Sequence, residues 1–235
     1  VRASTPFHVL AKPFGARCNL ECEYCFYLGK REMLAAPGAR MDARTLETFV
    51  RTYIESQPAG ASEIEFAWQG GEPTLAGLDF FRLALEFQER YRRPGMTVRN
   101  ALQTNGTLLD GEWIEFLRAE RFLVGLSLDG PREMHDAYRV DAQRRGSFER
   151  ALRALALLRD GGVEFNVLTV VQRANSAHPR RVYDFLVDHG VRHLQFIPLV
   201  EFDSAGEPSE RSVEPLAYGD FLNGVLERWL ALRHV

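Results

Sequence analysis

The most reactive side chains in this sequence belong to three cysteines that lie close together. Cys18, Cys22 and Cys25 are the only cysteines among the 235 residues, and they fall in the segment C-N-L-E-C-E-Y-C. Three thiolates can bind three irons of a 4Fe–4S cluster, although such clusters usually have four cysteine ligands. The spacing therefore predicts a 4Fe–4S cluster whose remaining iron is open to a substrate or cofactor.

Two other interpretations of these cysteines are a zinc site and three unrelated buried thiols. A closed structural zinc site needs four cysteine or histidine ligands, and the sequence offers no second pair that would complete one. Free cysteines are commonly buried, but every cysteine of a chain would rarely fall within eight residues by chance. The spacing favours the iron–sulfur cluster over both alternatives.

The C-x3-C-x2-C spacing, with Tyr24 directly before the last cysteine, resembles that of the radical S-adenosylmethionine (SAM) superfamily. Four later segments occur in the order that this family uses. They are W-Q-G-G-E-P (68–73), Q-T-N-G-T (103–107), S-L-D-G-P (127–131) and H-D-A-Y-R (135–139). Together with the cysteine segment they are most similar to the anaerobic sulfatase-maturating enzymes, although relatives that modify ribosomally made peptides share most of them.

The resemblance implies a reaction and its partners. In this family the open iron binds the amino and carboxylate groups of SAM, and a reduced cluster splits SAM into methionine and a 5′-deoxyadenosyl radical. In sulfatase-maturating enzymes the radical attacks a cysteine or serine of a sulfatase, which becomes formylglycine. The implied partners are a sulfatase or other peptide substrate and an electron donor such as flavodoxin or ferredoxin. The alternatives are a radical SAM maturase of a ribosomally made peptide and a non-enzymatic iron–sulfur protein.

Candidate SAM contacts follow from the same motifs. Gly70 and Gly71 remove two side chains where a ligand must approach the backbone, and the resemblance implies that Glu72 helps to bind the SAM amino group. Arg139 offers a fork of donors that suits the SAM carboxylate. By resemblance, Tyr24 lies near the adenine.

Further candidates follow the later strands. Asn105 offers a donor and an acceptor, while Ser127 and Asp129 offer a hydroxyl and an acceptor for the ribose or the methionine end of SAM. Val200 matches an apolar position that contacts adenine in relatives, although its neighbour Leu199 could face the site instead. His135 is expected to be structural and to fix the loop that carries Arg139.

The composition is that of a globular enzyme. Hydrophobic residues make up 46% of the chain and charged residues 26%, which is enough to build a core. The net charge of −3 gives no reason to expect a nucleic acid or membrane partner. No apolar run approaches the roughly 20 residues of a membrane span, and residues 1–6 do not resemble a signal peptide. Because three clustered cysteines also argue against a secreted disulfide framework, we expect a cytoplasmic protein.

Strand-like and helix-like stretches alternate along the sequence. The predicted strands are 7–12, 63–69, 97–103, 122–128, 164–171 and 193–200, and the predicted helices are 42–56, 78–92, 111–121, 147–159 and 179–189. This alternation predicts an α/β fold with right-handed βαβ units and a parallel sheet. The family resemblance implies a six-stranded (β/α)6 partial barrel. The candidate residues mostly follow the carboxyl ends of the strands, where parallel α/β folds bind ligands.

Three regions are expected along the chain. Residues 1–201 form the radical SAM core, 202–215 form a mobile linker rich in Ser, Glu and Pro, and 216–235 begin a C-terminal segment with a last helix at 216–233. Because the sequence ends at Val235 without a helix stop signal, we expect a truncated form. The family resemblance places the general base and auxiliary 4Fe–4S clusters in a longer C-terminal segment, beyond Val235.

Overall fold

The computed structural model describes residues 2–28, 40–202 and 205–232. Six parallel strands form one sheet in which each strand pairs with the next along the chain. The strands are β1 (Val9–Ala11), β2 (Glu63–Trp68), β3 (Thr97–Thr104), β4 (Leu123–Ser127), β5 (Phe165–Val171) and β6 (Leu194–Pro198). The predicted α/β fold with a parallel six-stranded sheet is confirmed.

Helices connect the strands as the alternation predicts. They are α1 (Ala43–Ser56), α2 (Leu78–Tyr91), α3 (Gly111–Ala119), α4 (Arg132–His135), α5 (Phe148–Asp160), α6 (Pro179–Asp188) and α7 (Pro215–Leu232). The five helices predicted between strands agree to within two residues, whereas the single turn of α4 was not predicted. None of the helices in the described ranges combines the length and apolar character that a membrane crossing requires.

The core lies between the sheet and its surrounding helices. Along β2, Ile64, Phe66 and Trp68 are buried and alternate with more exposed residues, as expected when successive side chains point to opposite faces of a sheet. The opposite, concave face carries small residues such as Ala101 and Gly125, which line a cavity of about 150 Å³. One face of the sheet is therefore packed, and the other borders a cavity.

The segment predicted to be a mobile linker makes several contacts with the rest of the fold in its described part. Val213 N donates to Leu199 O at 3.1 Å, and the Glu201 carboxylate accepts from Arg211 Nε at 3.0 Å. Val213 is also buried in the core. These contacts hold the segment against the end of β6.

Some sequence-based expectations fall on positions that the structure does not describe. Positions 203–204 of the predicted linker are among them, as are the predicted helix end at 233 and the terminal residue Val235. The expectations of a truncated form and of a general base beyond Val235 therefore stay predictions.

Candidate functional site

The three cysteines lie in a loop that follows β1, here called the cysteine loop (residues 12–28). On one side, Gly71 N donates to Gly15 O at 2.9 Å and Glu72 N donates to Arg17 O at 2.8 Å. Residues 70–73, here called the GGEP segment, thus continue the pairing of β1 with β2 beyond the strands. These backbone hydrogen bonds fix the cysteine loop without a bound ligand.

The other side of the cysteine loop is paired with the segment that carries Arg139. Glu21 N donates to Val140 O at 2.7 Å, and Glu23 N donates to Tyr138 O at 2.8 Å. The loop is therefore held between the ends of β1 and β2 and the connection from α4 to α5. This pairing brings Arg139 to the cysteines, although the two lie far apart in the sequence.

Close packing explains the glycine at position 71. A Cβ atom there would lie 2.0 Å from Arg17 O and 2.6 Å from Ala16 C. Gly70 also has a φ of +142°, which favours glycine. The sequence analysis explained these glycines by the approach of a ligand. In the structure it is the backbone of the cysteine loop that approaches Gly71.

The cysteines are surrounded by apolar side chains. Cys22 is buried and packs with Leu20, Tyr24 and Leu199, and Cys18 and Cys25 are half-buried against the same cluster. Burial raises the pKa of Cys18 to about 12 and that of Cys22 to about 11. The positive charge of a bound metal would be needed to stabilise their thiolates.

The donor set fits a 4Fe–4S cluster better than a single metal ion. Among the described residues, no three His, Cys, Asp or Glu side chains are grouped to hold one ion. In a 4Fe–4S cluster each cysteine instead binds a different iron. Leu20 N also donates to Cys18 Sγ at 3.3 Å, and Asn105 Nδ2 lies 3.6 Å from the same sulfur. Such hydrogen bonds to sulfur are typical of the surroundings of iron–sulfur clusters.

Glu72 is buried and bonded to the protein itself. Its Oε1 accepts from Thr74 Oγ1 at 2.6 Å and from Thr104 Oγ1 at 2.7 Å, and its Oε2 accepts from Asn105 N at 2.8 Å. Burial raises the pKa of Glu72 against the effect of these hydrogen bonds. The carboxyl therefore ties the ends of β2 and β3 together, a role that the sequence analysis did not assign to it.

The Asn105 side chain is likewise engaged by neighbouring residues. Its Oδ1 accepts from Thr107 Oγ1 at 2.7 Å, and its Nδ2 donates to Asn19 Oδ1 at 3.0 Å. Asn19 Nδ2 in turn donates to Thr107 Oγ1 at 2.8 Å. Sequence reasoning missed Asn19, Thr104 and Thr107. The position of Asn19 directly after Cys18 was the available signal for the first of them.

Asp129 collects donors from three elements of the fold. Its Oδ2 accepts one hydrogen bond from Tyr24 Oη and one from Arg139 Nε at 2.9 Å, while its Oδ1 accepts from Val170 N at 3.0 Å. The residue is 0% exposed. Asp129 therefore joins the cysteine loop, the Arg139 segment and β5.

Arg139 and Tyr24 are buried side by side near Cys22. The guanidinium carbon of Arg139 lies 5.4 Å from the centre of the Tyr24 ring. Burial lowers the pKa of Arg139, but Asp129, Tyr24 and Cys22 together outweigh burial, so the net shift of the pKa is upward and the guanidinium is charged. Burial raises the pKa of Tyr24, which keeps its phenol protonated. Among the described residues, the Arg139 guanidinium donates a hydrogen bond through Nε. Its two Nη groups can therefore donate to the carboxylate of a ligand.

The last candidates lie at the ends of β4 and β6. Ser127 is the final residue of β4 and is buried. Leu199 is 8% exposed and packs on the cysteine loop, whereas Val200 is 59% exposed. Of the two residues considered for the adenine position, it is therefore Leu199 that contacts the cysteine loop in this structure.

Known proteins are similar in sequence to this chain over nearly its whole length. The serine-type anaerobic sulfatase-maturating enzyme of Klebsiella aerogenes is 44% identical over 229 residues, which cover 97% of this chain and 55% of the relative. The cysteine-type enzyme of Clostridium novyi (strain NT) is 39% identical, with 94% of this chain and 59% of the relative covered. This chain thus spans a little over half the length of these curated relatives.

A solved structure and a family model agree with these similarities. The structure titled native anSMEcpe with bound AdoMet (SAM) matches with a TM-score of 0.86 at 35% identity, over 96% of this chain and 61% of that one. The model that describes the radical SAM superfamily matches residues 13–186. That range is most of the chain and includes the three cysteines, the GGEP segment and Arg139. The chain belongs to the radical SAM superfamily.

Proposed function

We propose that this chain holds a 4Fe–4S cluster through Cys18, Cys22 and Cys25 and cleaves SAM reductively. The observation that carries the proposal is that the cysteine loop is held between the GGEP segment and Arg139, at the carboxyl edge of the parallel sheet. When bound, the cluster supplies the electron that breaks the carbon–sulfur bond of SAM. The chain itself supplies the ligands, orients SAM and excludes water.

Arg139 is the residue proposed to bind the SAM carboxylate. Asp129 holds its Nε and leaves the two Nη groups as a fork of donors. The backbone at Gly70 and Gly71 lies against the cysteine loop, and we propose that the SAM amino group contacts this backbone beside the loop. Among the described residues the Ser127 hydroxyl has no hydrogen-bond partner, so it can bind the ribose.

The remaining residues complete the proposed SAM site. Tyr24 and Leu199 pack in one apolar cluster at the ends of the cysteine loop and β6, and we propose that adenine binds there, beside the exposed Val200. Glu72 and Asn105 stabilise the site, because their hydrogen bonds connect the ends of β2 and β3 with the cysteine loop.

The test of SAM cleavage uses the reconstituted, chemically reduced chain under anaerobic conditions. We expect 5′-deoxyadenosine and methionine to form from SAM, detected by liquid chromatography. Replacing all three cysteines with alanine should abolish both the visible absorption of the cluster and these products. The matched control is Ser209→Ala, an equally small change outside the cysteine loop. Retained cleavage in the triple variant would overturn the proposal.

For the whole protein we propose oxidation of a cysteine or serine of a sulfatase to formylglycine. The support is the similarity to both serine-type and cysteine-type sulfatase-maturating enzymes. A low-potential carrier such as flavodoxin or ferredoxin would supply the electron, and these carriers work in the reducing cytoplasm. Mass spectrometry of a co-expressed sulfatase tests this proposal. A SAM-cleaving protein that leaves both the cysteine and the serine form of the target unmodified would contradict it.

A further inference from the structure

A chain of hydrogen bonds through His135 and Ser147 joins residues 129 and 139. Asp129 N donates to His135 Nδ1 at 3.3 Å, and His135 Nε2 lies 2.9 Å from Ser147 Oγ. Ser147 Oγ donates to Arg139 O at 2.8 Å. Since Arg139 Nε donates to the Asp129 carboxylate at 2.9 Å, these contacts close a ring through four residues. We call it the 129–147 ring.

The direction of every hydrogen bond in the ring is fixed. A backbone N–H can only donate, so His135 Nδ1 must be the acceptor and the ring proton must be on Nε2. Nε2–H then donates to Ser147 Oγ, whose own proton goes to Arg139 O, because a carbonyl can only accept. Burial lowers the pKa of His135 to about 3, which keeps the imidazole in this neutral form.

Ser147 holds the position from which serine usually caps a helix, but its hydroxyl is used elsewhere. It directly precedes α5, and its side chain makes no capping bond to that helix. Asp136 does the capping instead, since its Oδ1 accepts from Phe148 N at 2.9 Å. Among the described residues, the Ser147 hydroxyl bonds only to His135 and Arg139. Asp136 therefore caps α5, whereas the Ser147 hydroxyl binds His135 and the carbonyl of Arg139.

We propose that His135 and Ser147 are positioning residues, which hold Arg139 in the orientation that binds the carboxylate of SAM. This inference rests on the proposed function of Arg139. Arg139 lies in the connection between α4 and α5, outside any helix or strand. Contacts with its guanidinium and with its backbone must therefore hold it in place. Asp129 fixes its guanidinium, and His135 with Ser147 fixes its backbone carbonyl. In this proposal neither positioning residue contacts SAM itself.

The experiment compares Ser147→Ala with Asp136→Ala in the reconstituted holoenzyme. Ser147→Ala removes the two hydrogen bonds of the Ser147 hydroxyl, and Asp136→Ala removes the bond from Phe148 N, so both should lower the Tm by a few degrees. We expect Ser147→Ala to raise the Kd of SAM about 3- to 10-fold, as for the loss of one supporting hydrogen bond. Asp136→Ala should leave that Kd within about twofold. Iron content should equal that of the wild type in both.

Two further measurements distinguish a specific effect on the position of Arg139 from a general destabilisation of the fold. At saturating SAM the cleavage rate of Ser147→Ala should return to the wild-type rate, so that the loss appears in KM rather than in kcat. In an Arg139→Lys background the same substitution should change the Kd less than about twofold, because its effect acts through the guanidinium. Nitrogen NMR of the cluster-free chain should place the His135 proton on Nε2.

Each outcome decides between the explanations. An unchanged Kd in Ser147→Ala, or an equal loss in Asp136→Ala, would overturn the positioning role and leave the proposed function standing. Equal effects of Ser147→Ala in the wild-type and Arg139→Lys backgrounds would also overturn it. Failure of the wild-type holoenzyme to bind SAM would overturn the proposed function and the positioning role together.

Discussion

Asp129 shows how one buried side chain can organise the site. It accepts hydrogen bonds from Tyr24, Arg139 and Val170, which come from three separate parts of the chain. A buried carboxylate is tolerated only when it is paired and fully hydrogen-bonded. Its three donors meet both needs, and they also fix the distance between the cysteine loop and β5.

Replacing Asp129 with asparagine should therefore destabilise the protein strongly. The change keeps the size of the side chain but leaves Arg139 as an uncompensated buried charge, which typically costs about 3–5 kcal/mol. Urea unfolding measures this difference. The matched control is Asp79→Asn, which removes a surface ion pair with Arg82 whose aspartate side chain is 95% exposed and should change stability by less than about 1 kcal/mol. Similar effects of the two changes would contradict the prediction.

Arg139→Ala should keep the cluster but weaken the binding of SAM. Loss of a carboxylate fork costs about 2–3 kcal/mol, or roughly a 30- to 150-fold loss of affinity. Equilibrium dialysis with SAM and iron analysis on the same sample measure the two effects. Because the change leaves Asp129 unpaired, Arg139→Lys is the companion variant that keeps the charge and removes the fork. Unchanged SAM affinity in both variants would remove Arg139 from the site.

His135 should make stability depend on pH. Its pKa lies near 3 in the folded chain and near 6.5 when exposed, so only the unfolded chain takes up a proton between these values. The contribution is fully present above pH 6.5 and is lost as pH falls toward 3, at up to about 1.4 kcal/mol per pH unit. Glu72 acts in the opposite sense, since its pKa is raised.

Urea unfolding at pH 7 and pH 5 tests the His135 contribution against a His135→Asn variant. The wild type should lose more stability between these pH values than the variant does, because asparagine does not titrate. Asp129 and Arg139 face the imidazole with opposite effects on its pKa and are present in both proteins. Equal losses in the two proteins would mean that His135 takes up no proton on unfolding.

At the scale of elements, the cysteine loop depends on its fit against the GGEP segment. Gly71→Ala would place a methyl group 2.0 Å from Arg17 O, so the loop would have to move. We expect iron content after reconstitution to fall to less than about half of four irons per chain. Gly60→Ala is the control, since a Cβ there meets nothing within 4 Å. Full iron content in Gly71→Ala would show that the loop tolerates displacement.

The sequence was sufficient for the elements but not for all contacts between them. Apolar periodicity and glycine stops predict the strands and five connecting helices because these signals are local. The contacts of the segment 202–215 could not be predicted, because its Ser, Glu and Pro content describes local preference, whereas the hydrogen bonds of its described part reach back to Leu199 and Glu201, just beyond β6. The single turn of α4 is too short for any periodic signal.

The candidate site shows the same limit. The cysteines and Arg139 could be predicted because their side chains suit the chemistry wherever the fold places them. The choice between Leu199 and Val200 could not be predicted. Successive residues of an extended chain point to opposite faces, so a shift of one residue exchanges the side chain that faces the site. The donors to Glu72 were also hidden, since Thr104 belongs to a different strand.

At the scale of the whole molecule, three thiols set the amount of iron that the chain can hold. We expect about four irons per chain after reconstitution, because one 4Fe–4S cluster uses all three cysteines. We also expect these 235 residues to cleave SAM but to form little or no formylglycine on a sulfatase peptide. The carboxylates that could act as base, Asp129 and Glu201, are already bonded to Arg139 and Arg211.

Iron and sulfide analysis with mass spectrometry of the peptide checks both expectations. The control is the same assay with a full-length sulfatase-maturating relative, such as the Klebsiella aerogenes enzyme. Efficient aldehyde formation by this chain would show that a base and an electron outlet lie within it. Asp129 and Glu201 would then be the first residues to replace.

The two-sided pairing of the cysteine loop bears on how the protein survives oxygen. Zinc fingers unfold when their metal leaves because the metal is their main support. Here four backbone hydrogen bonds, from Gly71, Glu72, Glu21 and Glu23, hold the loop independently of any metal. We therefore expect a molecule that has lost its cluster to air to keep the cysteine loop in place. Reloading iron and sulfide should then restore the cluster without unfolding or new synthesis.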